Sequence, residues 1–235
     1  MFDHAGAAGR KRWQRVWDAL KDHPSGVLLA VQLFGVLVFP FTDSRGLGRT
    51  LLSVVGLVVL AIAVLAVNRT PSTRVVAWSL GTPVFFLTIA EPIWPDSVAV
   101  QLWSYVFHAI FYFYTAVSLL RYMFADAWVS RDELFATAAC FTVLAWAYAY
   151  TYGVVQILWP GSFESAAGGT ADLSWMDLLF LSFTTLSGTG LSDISPVAGQ
   201  DEARSVVMLQ MVTGMFYIAL VVARLLGLTL VKFRR

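Results

Sequence analysis

Long apolar runs recur along this chain, and no other feature limits its fold so strongly. A helix that crosses a bilayer core needs about 20 mostly apolar residues. Six stretches reach or approach that length: 26–42, 50–68, 74–92, 98–123, 132–158 and 205–231. The expected fold class is therefore an all-α membrane protein with six transmembrane helices. The first run is short, which suits a tilted or partly buried helix.

Composition agrees. Only 13% of the 235 residues are charged and 58% are hydrophobic, whereas a soluble domain carries about 25% charged residues. A net charge of +1 offers no basic surface for nucleic acid. The single cysteine, Cys140, lies inside an apolar run and reads as packing. Residues 9–22 lack the apolar core of a secretory signal. They place Trp13, Val16, Trp17 and Leu20 at helical spacing, with Arg10, Lys11, Arg12 and Arg15 largely off that stripe. This suits an amphipathic helix over residues 1–25 lying on the cytoplasmic membrane surface.

Charge sets the orientation. With both termini in the cytoplasm, all of the 16 Lys and Arg except Arg45, Arg49 and Arg204 fall on the inner side. That is a strong positive-inside bias. The outer side between the last two runs is acidic, with Glu164, Asp172, Asp177, Asp193, Asp201 and Glu202. Such a mouth concentrates cations, and it is also an ordinary composition for a solvated loop.

Between runs five and six the pattern changes. Residues 159–173 are rich in Pro, Gly, Ser and Ala and read as an exposed loop. Residues 174–187, S-W-M-D-L-L-F-L-S-F-T-T-L-S, read as a helix too short to span a membrane. Ser174 with Asp177 supplies a capping-box start. Gly188 and Gly190 follow on alternate positions among hydroxyl side chains. A short helix at membrane depth followed by glycine-bearing backbone is a re-entrant element, tolerated where it is buried in protein or lines a water-filled cavity. Alternate residues of a carbonyl-lined ion path need unusual backbone angles, which glycine adopts at little steric cost.

The residues Phe183 to Pro196, F-T-T-L-S-G-T-G-L-S-D-I-S-P, resemble the pore loop of tetrameric potassium channels, F-x-T-L-T-T-V-G-Y-G-D-x-x-P. Phe183, Thr185, Leu186, Gly190, Asp193 and Pro196 coincide, and Ser187 is a conservative match. Gly214 falls near the place of that family's inner-helix gating glycine. The pore resemblance covers about residues 132–230; for the first four runs only the six-span layout is similar. It implies a homotetramer that conducts cations, potassium foremost, through backbone carbonyls. The filter is then Ser187, Gly188, Thr189, Gly190, Leu191 and Ser192, with K+ or Na+ held at Gly188, Thr189, Gly190 and Leu191. Asp193 lies at the outer mouth, and Gly214 is the hinge.

The departures are specific. Gly188 replaces the inner threonine, and its hydroxyl is lost. Leu191 replaces the bracing tyrosine, and Leu181 stands at one of that tyrosine's aromatic partner positions, so a polar cuff is not expected. Ser192 replaces the second glycine of Gly-Tyr-Gly; a left-handed serine costs about 1–2 kcal/mol, so the outer filter is expected to be wider or flipped. Thr189-Gly190-Leu191-Ser192 is similar to the single-glycine loops of Trk and Ktr potassium-uptake proteins. A selective potassium channel, a non-selective cation channel and a non-conducting homologue all stay open.

The fourth run holds a single arginine, Arg121, at its cytoplasmic end. A voltage sensor moves several charges per span, so classical voltage sensing is not expected. Residues 26–124 read as a scaffold around a pore domain over 125–235. His108, mid-span, suits either a proton sensor or a neutral core histidine bonded to a tyrosine or carbonyl, and the second is the expectation. Arg224 facing the axis would repel potassium, so it is expected to turn outward and pair with Asp132 or Glu133, coupling linker to gate. Only V-K-F-R-R follows the last run, so a cytosolic ligand is expected to act through a partner or lipid. No other cofactor is implied.

Enzyme chemistry lacks its motifs. No Gly-x-Ser-Gly and no His-Glu-x-x-His occurs. An internal repeat of the kind carriers show is not apparent. The expected location is a bacterial plasma membrane.

Overall fold

A computed structural model describes residues 24–38, 71–124, 131–166 and 172–233. The expected interfacial helix and the run at 50–68 lie outside the described residues, apart from the last two positions of the former. Among the described residues there are six helices and two short strands: α1 (Pro24–Val38), α2 (Pro71–Ile93), α3 (Val98–Met123), α4 (Arg131–Leu158), β1 (Phe163–Ser165), α5 (Trp175–Ser187), β2 (Ile194–Pro196) and α6 (Asp201–Phe233).

Among the described residues three helices are long and apolar enough to cross a membrane: Val98–Met123, Asp132–Leu158 and Asp201–Arg224. These are the fourth, fifth and sixth expected runs. The first run forms a helix of 15 residues, about 22 Å at 1.5 Å per residue and so short of a 30 Å core. The third is α2, helical over 23 residues with Pro83 and Pro92 inside it.

Helix α4 is the centre of the molecule. Ala136, Ala139, Ala145, Ala147 and Ala149 have no exposed surface. Small side chains let neighbouring backbones approach, and close packing drives helix association in lipid. Helices α1, α3, α5 and α6 all pack against α4. On the α3 side, Gly153 has the same logic: a Cβ there would stand 2.3 Å from the Tyr105 ring.

Several hydroxyls inside this core are satisfied locally. The Thr88, Thr115, Thr137 and Thr151 hydroxyls each donate to the carbonyl four residues earlier, at 2.8–2.9 Å. Thr142 donates to Gln32 Oε1 at 2.6 Å, joining α4 to α1. His108 is buried as a core histidine. Its Nδ1 lies 2.8 Å from the Ser104 carbonyl, an acceptor only, so Nδ1 carries the proton. Its Nε2 is then an acceptor 3.2 Å from Thr88 Oγ1, whose one proton is shared between that nitrogen and the Val84 carbonyl, and its ring stacks on Tyr150 at 4.5 Å.

Helix α6 is docked by one face. Ala203, Val207, Gln210, Gly214 and Tyr217 are buried and Val221 and Arg224 half-buried. The intervals run 4, 3, 4, 3, 4, 3, a single stripe on a helix. Met208, Leu209, Met211, Val212, Met215 and Phe216, on the other faces, are exposed.

One expectation about the outer segment needs correction. Residues 163–165 are a strand rather than exposed loop, and Phe163 is buried. It pairs antiparallel with β2 in the register Phe163 with Pro196, Glu164 with Ser195 and Ser165 with Ile194. The fold is all-α in class, with one two-stranded ribbon of three residues per strand beside the helices. Polarity pointed to solvent here, but the ring of Phe163 packs edge-on against Tyr152 at 5.3 Å and draws the strand inward.

Candidate functional site

The site begins with a well-terminated short helix. Ser174 Oγ accepts from the Asp177 N–H at 3.3 Å, and the Asp177 carboxylate accepts from the Ser174 N–H at 3.0 Å. This is the capping box expected from sequence. It satisfies orphan donors and places a carboxylate at the positive end of the helix. Helix α5 then runs 13 residues, about 20 Å. It buries Leu178, Leu179, Leu181, Ser182, Thr184, Thr185 and Leu186.

The helix stops at Gly188, which takes the left-handed conformation with φ 69° and ψ 15°. A side chain there would cost about 1–2 kcal/mol, which is why glycine terminates the helix. Gly190 repeats the left-handed φ at 65°. A Cβ on either glycine would meet no atom within 4 Å, so backbone angle and not crowding demands the glycines.

Thr184 organises the turn. Its carbonyl accepts from Thr189 N at 3.2 Å and from Ser187 Oγ at 3.2 Å. The Ser187 and Thr189 hydroxyls lie 3.1 Å apart. Four consecutive residues, Gly188 to Leu191, are exposed, and Leu191 reaches 76%. An open groove of about 490 Å³ runs from this loop along α6, lined by Thr184, Ser187, Gly188, Gly190, Met211 and Met215 among others.

The outer end departs from expectation. Among the described residues no non-glycine has a positive φ, so Ser192 is not left-handed and carries no such strain. Its hydroxyl instead accepts from the Ile194 N–H at 3.1 Å. The chain leaves the loop straight into β2, whose pairing with β1 fixes its direction. The Asp193 carbonyl accepts from Ala166 N at 2.7 Å, and the Asp193 side chain is exposed. Leu181 is buried in an apolar cluster with Tyr152, Phe163, Ile194 and Val207. The position opposite the loop is thus oily rather than a polar cuff.

Ser187, Gly188, Thr189, Gly190, Leu191, Ser192 and Asp193 therefore form one continuous segment, half-buried at Ser187 and Ser192 and exposed elsewhere. Gly214 lies beneath it. A Cβ there would stand 2.2 Å from the Leu186 carbonyl oxygen and 2.9 Å from its carbon. The glycine has a packing reason: it lets α6 touch the backbone of α5 one residue before the loop. The helix continues unbroken through it.

The cluster at the start of α4 separates the two candidate acids. Arg224 pairs with Glu133 at 3.3 Å and lies over the Phe124 ring at 4.9 Å. Asp132 serves other elements: it accepts from Ser25 N at 3.1 Å, Ser25 Oγ at 3.0 Å and Tyr122 Oη at 3.0 Å. The first turn of α4 thus ties α1, α3 and α6 together through two adjacent carboxylates.

A network that sequence reading missed sits behind α5. Gln210 of α6 is fully buried and bonds Ser182 of α5 and Tyr152 of α4. A glutamine in the middle of an apolar run was the available signal, since intramembrane polar side chains seek partners inside the bundle.

Residues 136–229 match the ion channel family. The matched segment covers less than half of the chain and spans α4, α5, the glycine loop, β2 and nearly all of α6. The match supports an ion channel in a membrane. Comparison with curated proteins and with solved structures gives no match.

Proposed function

We propose that this protein is a homotetrameric cation channel in which residues 125–235 form the pore domain. The observation that carries the reading is the pair of left-handed glycines, Gly188 and Gly190, directly at the end of a short buried helix and on an open face. One loop per chain cannot enclose an ion, so the path must lie on an axis shared by several copies. The exposed side of α6 and the adjoining groove suit burial against those copies and lipid.

In this reading the carbonyls of Ser187, Gly188, Thr189, Gly190 and Leu191 replace part of the hydration shell of the passing ion. The negative end of α5 adjoins the loop and favours a cation there. Ser192 and the exposed Asp193 shape the outer mouth. Potassium is the preferred cargo on the resemblance of the loop. A non-selective monovalent path is the second reading, favoured by one observation: left-handed residues stop at Gly190, because Leu191 and Ser192 do not adopt a positive φ. Fewer ordered carbonyl rings give fewer binding sites to discriminate ions.

Residues 26–124 act as a scaffold without voltage sensing, completing a six-span subunit whose termini are cytoplasmic, in a bacterial plasma membrane. Arg224 and Glu133 couple α6 to the linker before α4. Gly214 sets the distance from α6 to the filter and is the place where α6 bends on gating. Lipid headgroups meeting the basic N-terminal segment are the candidate modulators.

Reversal potential tests the reading. Purified protein in a planar bilayer, with potassium on one side and sodium on the other, is expected to reverse near the potassium equilibrium potential. Clear current reversing near zero gives the non-selective reading. No current from a chain whose mass in detergent is that of a tetramer rejects conduction, and a monomeric mass rejects the shared axis.

A further inference from the structure

The buried Tyr152–Gln210–Ser182 chain of hydrogen bonds carries an inference beyond conduction itself. Its three side chains come from three helices, α4, α6 and α5, and none has any exposed surface. The donors follow one direction. Tyr152 Oη donates to Gln210 Oε1. Gln210 Nε2 donates to the Ser182 carbonyl at 2.9 Å and to Ser182 Oγ at 2.6 Å. Ser182 Oγ donates to the Ala145 carbonyl at 2.7 Å, returning to α4. A flipped Gln210 amide would aim its oxygen at the Ser182 carbonyl and its nitrogen at the tyrosine hydroxyl, so the order is fixed by chemistry. The amide leaves no buried polar atom unpaired.

We propose that Gln210 is a positioning residue for the ion path. It holds α5 at a fixed height and rotation between α4 and α6, and so fixes where Thr184 and the loop from Ser187 to Leu191 stand. Ser182 lies half a turn before Thr184, whose carbonyl gathers the turn donors. Any rotation of α5 moves that carbonyl with it. Leu181 adds apolar contacts, which slide more readily than hydrogen bonds. A buried amide that loses one partner leaves others unsatisfied, so the network holds or fails as a unit.

The proposal rests on the reading of residues 187–192 as the conducting element, so two readouts are needed. Hydrogen exchange on the full chain in lipid nanodiscs does not depend on conduction. Gln210→Leu is expected to speed exchange across 183–192 about tenfold, with less than about twofold change across 140–150. Gln210→Glu keeps the acceptor for Tyr152 but removes the donor to Ser182, and is expected to exceed Tyr152→Phe. Where Gln210→Leu does not fold, Ser182→Ala, which removes one hydroxyl and little volume, is read in its place. In bilayers the same variants are expected to move the potassium-to-sodium permeability ratio by about fivefold, or, where the ratio is near one, the unitary conductance by a similar factor. Unchanged exchange at 183–192 in a folded Gln210→Leu overturns the proposal. So does a rise spread equally over α4, which marks a role in general stability. Wild type without current, but with the expected exchange pattern, rejects the conduction reading and leaves the positioning role standing.

Discussion

Helices α4 and α6 are both long and apolar, yet they are used in opposite ways. In its most apolar stretch α4 has 61% of its residues buried inside the chain, while α6, the more apolar of the two, has 22%. Oiliness therefore does not mark the core of this subunit. Alanines mark it, because close approach in lipid depends on small side chains more than on hydrophobicity. The large apolar residues of α6 face outward, and in the proposed assembly lipid and further copies of the chain would meet them. What α6 gives to its own subunit is one narrow stripe, pinned by Gln210, Gly214, the Tyr217 hydroxyl on the Thr137 carbonyl, and Arg224.

The contrast can be broken at its tightest point first. Gly214→Ala sets a Cβ against the Leu186 carbonyl, a backbone group that cannot swing away. The cost is expected to reach or exceed about 3 kcal/mol, the upper end for overpacking. A thermal melt in detergent followed by tryptophan fluorescence should drop sharply, and a melt equal to wild type would show that α6 is not seated on α5 as described.

Arg224→Ala comes next. It leaves Glu133, only 6% exposed, without its cation, at an expected cost of about 2–3 kcal/mol, somewhat below the range for fully buried pairs because Arg224 is not fully buried. Arg224→Ala with Glu133→Gln should recover part of that loss in a double-mutant cycle. In bilayers Arg224→Ala is also expected to change open probability, and an unchanged value removes the coupling role.

A paired truncation compares the two helices directly. Leu144→Ala in α4 empties a buried site and is expected to cost about 2 kcal/mol, the low end for such changes, because lipid is as apolar as leucine. Leu209→Ala, on the open face of α6, should cost less than about 1 kcal/mol within the subunit. Its effect should appear instead as weakened assembly by light scattering. Equal losses of subunit stability would erase the distinction between the helices. The smallest effect belongs to the cap of α5. Ser174→Ala should cost about 1 kcal/mol, read as faster exchange in the first turn of α5 while the glycine loop stays unchanged.

Legibility followed distance along the chain. The Ser174 cap, the length of α5 and its end at Gly188 were readable because each depends on residues within a turn or two. The extent of α3, α4 and α6 was readable because a bilayer demands uninterrupted apolar helix. The glycine pair announced its backbone angles, since little else adopts them. Ser192 shows the limit. By motif position it belonged in the left-handed region, but β2 pulls the chain into an extended exit and its hydroxyl caps Ile194. The strand at Phe163 was hidden because its partner lies 31 residues on.

Sequence by itself determined the class of the molecule, the long apolar helices, the capped short helix and the two left-handed glycines that end it. Those rest on local propensity and on the demand that lipid makes of backbone polar groups. Tertiary structure alone decided which carboxylate meets Arg224, why position 214 is glycine, and that Gln210 ties three helices. Each of those contacts joins residues 28 to 91 positions apart. Their partners are chosen by how the helices pack, and no local pattern encodes that choice.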